Sequence, residues 1–212
     1  MFHYKGLEIE TSLEVYDPAE DTFLLLDSID IKKFDSVFEI GTGCGIIALY
    51  CAKLGANVIC SDINPFAITL VKENLERNKS NIKGTVEIQH GDLFSVLKPK
   101  EKFDIIIFNP PYLPSKKDDL IGGNGWFDKA VDGGIDGLSA IRRFIEGLNK
   151  HLESNGKAYF VFSSLSDRKK LEKIISKSGF EFKIVNSKKF DDETLDVYIL
   201  SKKTIIENPC QK

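Results

Sequence analysis

Asn109, Pro110, Pro111 and Tyr112 form the segment of this chain whose chemistry is easiest to specify. The Asn109 side-chain oxygen and the Pro110 carbonyl are two acceptors suited to the two hydrogens of a planar NH₂ group, and the prolines fix both in place. Tyr112 adds a ring that stacks on a flat substrate. An amide or aromatic amine nitrogen is a poor nucleophile because its lone pair is delocalised. Acceptors that hold both hydrogens favour a pyramidal nitrogen with a lone pair free to attack, which is positioning and electrostatics rather than acid-base catalysis. No His or Glu base is required, and none is evident. A purely structural proline turn is the competing reading. The strand before the motif and a glycine loop upstream argue against it.

That loop is Glu39-Ile40-Gly41-Thr42-Gly43-Cys44-Gly45. Glycines at alternate positions between a strand and a helix let the backbone turn tightly and a ligand approach without meeting a Cβ. Glu39, Gly41 and Gly43 are therefore candidate ligand-binding positions. Asp62, at the end of the next strand, lies across the crevice, where its carboxylate can accept both hydroxyls of a ribose. A dehydrogenase also uses glycines followed by an acid, but the spacing here is GxGxG rather than GxGxxG. His90-Gly91-Asp92-Leu93 ends a third strand in the same way. Asp92 can accept from the amino group of an adenine and Leu93 can pack on its face, although an acid after a strand is also a common turn residue.

Strands and helices must alternate to bring these residues to one edge. SVFEI, NVICSD, TVEIQHGD and FDIIIFNPPY read as strands, the last ended by Pro110 and Pro111, and its Ile and Phe run implies burial on both faces. Helical spacing follows the glycine loop and resumes after Asn64 and Pro65, a cap and first-turn pair. After a glycine-rich, linker-like stretch from Lys116 to Gly134, LSAIRRFIEGLNKHLE reads as a helix, GKAYFVFS as a strand and DRKKLEKIISKSG as a helix. FEFKIVNSKKF and ETLDVYILS then give two strands with no helix between them. The pattern predicts a mostly parallel α/β sheet of seven strands whose last strand is antiparallel. Trp126 and Phe127 are placed either to form a lid or to anchor a surface loop.

At 212 residues and 42% hydrophobic composition the chain suits one domain, 1–212, with a frayed tail at 204–212. A net charge of −3 gives no excess of cations for a phosphate backbone. Lys116 with Lys117, and Arg142 with Arg143, can supply a few phosphate contacts but read first as solvated surface, so nucleic acid is not favoured as a partner. No apolar run reaches the roughly 20 residues of a membrane span, and the N-terminus does not read as a signal peptide, so no membrane partner and a cytoplasmic location are expected. Cys44, Cys51, Cys60 and Cys210 form no CxxC pair, so the expectation is reduced thiols and no metal site.

Taken together, EIGTGCG, SDINP, GD and NPPY resemble the class I S-adenosylmethionine-dependent methyltransferases, specifically the HemK-like release-factor glutamine methyltransferases. Val15 to Thr22 (VYDPAEDT) resembles the segment that closes over the cofactor in that family, so residues 1–30 are expected to form a covering segment. Asp132 to Leu138 resembles the glycine-rich start of the helix after NPPY. The resemblance spans Tyr16 to Leu200 and implies a Rossmann-like fold with S-adenosyl-L-methionine as cofactor. It implies that Gly41 and Asp62 bind the aminoacyl and ribose parts, Asp92 and Leu93 the adenosine part and Thr22 the methionine end. Asn109, Pro110, Pro111 and Tyr112 would take the substrate nitrogen. Only some 15 residues precede YDPAEDT, a length similar to the archaeal and eukaryotic branch, which implies a small zinc-binding activator protein as partner. FEFKIV, VICSD and the N-terminal segment are the candidate surfaces for it. The implied substrate is the glutamine of a Gly-Gly-Gln tripeptide in a class-1 translation release factor. An adenine N6 group, which presents the same planar NH₂, is the alternative, and lysine has also been linked with this branch.

Overall fold

Alternating apolar side chains along the central strands serve two cores at once. The computed structural model describes residues 1–114 and 125–203. Strands β3 (Ser36–Ile40), β4 (Asn57–Asp62), β5 (Thr85–His90), β6 (Phe103–Phe108), β7 (Leu152–Ser163), β8 (Phe180–Lys189) and β9 (Thr194–Lys202) form a seven-stranded sheet in the order β5-β4-β3-β6-β7-β9-β8. The first five run parallel, and β9 lies antiparallel to both β7 and β8.

Val37, Ile105, Ile107, Tyr159 and Val161 face one core, shared with helices α1 (Glu20–Leu26), α2 (Ile46–Leu54) and α3 (Pro65–Arg77). Phe38, Ile106, Phe108 and Phe160 face the other, beneath α5 (Ser139–His151) and α6 (Arg168–Lys177). The period of two in the strands thus fills both faces, as a buried parallel sheet requires.

Register does the positioning. Ile40 pairs with Ser61 on one side and Phe108 on the other, so Gly41, Asp62 and Asn109 come next in three adjacent strands. Asp62 in turn pairs with His90, which brings Gly91 and Asp92 to the same edge. The chain steps outward from β3 to β4 and β5, then returns to β6 on the other side of β3. A crevice opens at such a reversal.

A separate hairpin, β1 (Phe2–Tyr4) and β2 (Leu7–Ile9), docks on α3. Asn74 and Asn78 clamp it: each accepts from and donates to the backbone of one β2-side residue, Asn74 with Glu10 (2.8 and 3.0 Å) and Asn78 with Glu8 (2.9 and 2.7 Å). Asn74 also donates to the Cys44 carbonyl of the glycine loop at 2.9 Å. Two fully buried amides thereby replace a missing sheet neighbour.

Several expectations need correction. VICSD lies in strand β4, paired on both edges with β3 and β5, and none of its residues is exposed to a partner. The hairpin's Leu7 and Ile9 are likewise buried. The linker-like stretch contains a helix, α4 (Trp126–Val131). The helix read through to Glu153 stops at His151, because Leu152 is already buried against Phe103 as the first residue of β7. Lys116, Lys117, Cys210 and the 204–212 tail lie outside the described residues.

Candidate active site

The glycine loop owes its shape to backbone that side-chain-bearing residues avoid. Gly41, Gly43 and Gly45 have φ of 66°, 55° and 84°. A Cβ on Gly45 would meet Val71 of α3 at 2.9 Å, so the loop also packs closer than alanine allows. Asp62 holds the loop from the side. Its Oδ2 accepts from Gly43 N (2.9 Å) and its Oδ1 from Asn64 N (2.8 Å), leaving lone pairs on both oxygens. Burial pushes the Asp62 carboxyl up, while these N–H groups pull it down. Glu39, beneath the loop, accepts from Thr42 Oγ1 at 2.6 Å, and burial raises its carboxyl to about 8.

A cleft of about 370 Å³ runs along the sheet edge. Each residue singled out from the glycine loop, the two acids, NPPY and Thr22 lines it. At the β5 end, Asp92 accepts from Arg143 at 2.6 Å, and Leu93 adopts a left-handed φ of 48°. Arg142 is paired with Asp136 at 3.0 Å. Arg143 stays exposed, as its sequence suggested, and Arg142 is half-buried; both are engaged in ion pairs.

At the β6 end, Asn109 Nδ2 donates to Asp21 Oδ2 at 3.0 Å, while Asn109 Oδ1 is buried without a partner. Such an orphan acceptor is costly unless something else fills its valence, and the residue that carries it lines a cleft. Tyr112 donates to the same Asp21 oxygen at 3.2 Å. Burial first, and then the Asp21 charge, push the Tyr112 hydroxyl far above its usual range, so it stays a donor.

The turn after NPPY is buttressed from behind. Leu113 N donates to Val131 O and Gly133 N to Leu113 O. A Cβ on Gly137 would lie 2.5 Å from the Tyr112 carbonyl oxygen, which explains the glycines of Asp132 to Leu138 as close packing rather than ligand contact. Over the cleft, the strap after β2 lays the Tyr16 carbonyl 3.9 Å from the position of a Gly43 Cβ, held by Asn64 donating to Glu14 O at 2.7 Å. Trp126 lines the cleft, and Phe127 packs on Tyr16 with ring centroids 6.3 Å apart.

Sequence reasoning passed over Asp21 and Tyr16. One signal was present, an acid one residue before Thr22 in the covering segment, but its partners are 88 and 91 positions away.

A family model described as methyltransferase small domain matches residues 14–190. The chain belongs to that family. This methyltransferase is 41% identical over 182 residues to a Methanocaldococcus jannaschii protein named for protein N5-glutamine methyltransferase activity, covering 85% of this chain and 88% of the relative. It is 31% identical over 199 residues to the human methyltransferase HEMK2, covering 89% and 90%. Among solved structures it is similar to E. cuniculi Mtq2, at 23% identity and a TM-score of 0.68, over 90% of this chain and all of that one. That likeness shows the fold, a class I methyltransferase fold with a seven-stranded sheet.

Proposed function

We propose that this methyltransferase uses S-adenosyl-L-methionine to methylate the side-chain amide of glutamine in the Gly-Gly-Gln segment of a class-1 translation release factor. One observation carries the reading: a buried oxygen with no partner on Asn109, a residue that lines a cleft whose other end holds a glycine loop and two acids. The names of the relatives point the same way, since they include release factor glutamine methyltransferases and an eRF1 methyltransferase catalytic subunit.

The residues present fit the cofactor. Asp62 has a lone pair on each oxygen for a pair of ribose hydroxyls, and Asp92 and Leu93 flank the place for an adenine. Gly41, Gly43, Glu39 and Thr22 border the aminoacyl end. When bound, the cofactor supplies an electrophilic methyl group on a sulfonium sulfur. Asn109 Oδ1 and the Pro110 carbonyl hold the two hydrogens of the glutamine amide, and Pro111 fixes that turn. Tyr112 borders the amide plane, and the strap with Trp126 keeps water out. No base on the chain is needed, because the nitrogen is cationic as methyl transfer completes and in that form is acidic enough to lose its proton to water as the site reopens.

The E. cuniculi relative is described in complex with Trm112, responsible for methylation of eRF1. We extend a partner of this kind, a small zinc-binding activator, to this chain. Strands β5 and β8 are the sheet's two edges, and either can be extended by a partner strand. The β8 edge exposes Phe182, Ile184 and Val185, each at 36–41%. No helix among the described residues is long and apolar enough to cross a membrane, in keeping with work in the cytoplasm.

The test is transfer of labelled methyl to a release factor, and in parallel to ribosomal RNA and DNA, with and without the partner. Label on the Gly-Gly-Gln glutamine is the expected result. Label on an adenine with the release factor unmodified would overturn the substrate assignment.

A further inference from the structure

Asp21 is buried to within 3% of full enclosure, and five donors converge on its carboxylate. Thr22 N (2.6 Å) and Thr22 Oγ1 (3.2 Å) take Oδ1. Asn109 Nδ2 (3.0 Å), Tyr112 OH (3.2 Å) and Tyr16 OH (3.3 Å) take Oδ2. A carboxylate facing only donors is an acceptor and nothing else, so the end of the Asn109 amide that meets it has to be the NH₂. The other end, the oxygen, is then turned away from Asp21 and left without a protein partner.

We infer that Asp21 is the positioning residue of this site: it selects the rotamer of Asn109 that presents oxygen rather than nitrogen to the substrate, and aligns Tyr112 beside it. The kinetic consequence rests on the proposed amide substrate, whereas the orientation itself does not. An asparagine free to turn over would offer donors to a substrate NH₂, a repulsive contact in place of an attractive one. The negative charge adds to this, because a charge-assisted bond to the amide NH₂ draws electron density toward its oxygen and makes that oxygen a better acceptor. Tyr16, which stands on the strap, joins the same carboxylate, so the covering segment and the substrate motif are fastened at one atom.

Asp21→Asn tests this without changing shape. An amide has one acceptor end, and it cannot satisfy donors that approach from both sides. The first readout needs no substrate. In the ¹⁵N-labelled full chain, the Asn109 side-chain NH₂ pair, assigned by its loss in Asn109→Ala, should move and exchange with solvent at least about tenfold faster in Asp21→Asn than in the parent. The second is a double-mutant cycle on release-factor methylation. Asp21→Asn should lower kcat about tenfold to a hundredfold with the dissociation constant for S-adenosylhomocysteine changed less than about threefold. Added to Asn109→Ala it should lower kcat no further. A merely structural role would lower the melting temperature and cofactor affinity and combine additively with Asn109→Ala. An unmoved Asn109 resonance in Asp21→Asn overturns the inference whatever the substrate is. A parent enzyme that leaves the release factor unmethylated overturns the proposed function and leaves the resonance measurement to decide this one.

Discussion

Gly43 N donates to Asp62 Oδ2 across 2.9 Å, so the loop after β3 and the acid at the end of β4 are one unit. Removing the carboxylate takes away a hydroxyl acceptor and also frees a loop held at positive φ. Asp62→Ala is therefore expected to weaken S-adenosylhomocysteine binding at least about tenfold, equivalent to roughly 1.4 kcal/mol. Isothermal titration calorimetry measures it. Unchanged affinity would remove Asp62 from the cofactor site.

Asn109→Ala deletes the orphan acceptor and leaves Asp62, Asp92 and the glycine loop intact. Turnover is expected to fall about 10²–10³-fold, the usual loss for one preorganised polar contact to the reacting group, with cofactor affinity within a few-fold. Single-turnover label transfer separates the two. Full activity would eliminate the acceptor mechanism.

Glu39 predicts a pH dependence of stability. Burial raises its carboxyl from 4.5 to about 8, against the opposing hydrogen bonds from Thr42 and Ala48. Between those values the folded chain keeps a proton that the unfolded chain has released, so this group's contribution to stability falls as pH rises and levels off above about 8. Glu39→Gln removes the titration. Melting followed by circular dichroism should show a larger loss between about pH 6 and about pH 9 in the parent than in Glu39→Gln. Parallel losses would contradict the buried-acid account.

The asparagine clamp separates two roles. Asn74→Ala and Asn78→Ala each leave buried backbone groups of the hairpin unpaired and are expected to cost about 2–3 kcal/mol in urea unfolding. Only Asn74 also holds the Cys44 carbonyl. Cofactor affinity should thus fall in Asn74→Ala and hold in Asn78→Ala, and equal affinities would show that the loop does not depend on the clamp.

Much of the scaffold was legible because each strand carries its own burial pattern. The Ile and Phe run of β6 announced a central strand, and two strands without an intervening helix announced the antiparallel β9. Asn64 and Pro65 stand at the start of α3, with Asn64 Oδ1 accepting from Phe66 N at 2.9 Å. Strand order is different, because no strand's own residues state its neighbours. VICSD therefore read as a candidate surface, although β5 covers it. The NPPY and glycine-loop residues meet at one cleft, as their positions after strands implied. Asp21 was hidden by the 88 positions between it and Asn109. Asn74 left a clue that went unread: it follows Ala67, Leu70 and Val71 on the buried stripe of α3, where a polar side chain must have a partner.

The hairpin's anchorage also fixes an order of assembly. Glu8 is bound by Asn78, 70 residues later, and Glu10 by Asn74, 64 residues later. The hairpin has no place to dock until two strand-helix units have followed it, and contacts this distant in sequence form late. The hairpin is thus made before its dock and seated after it, and a chain interrupted before α3 exposes Leu7 and Ile9 to solvent with its covering strap loose.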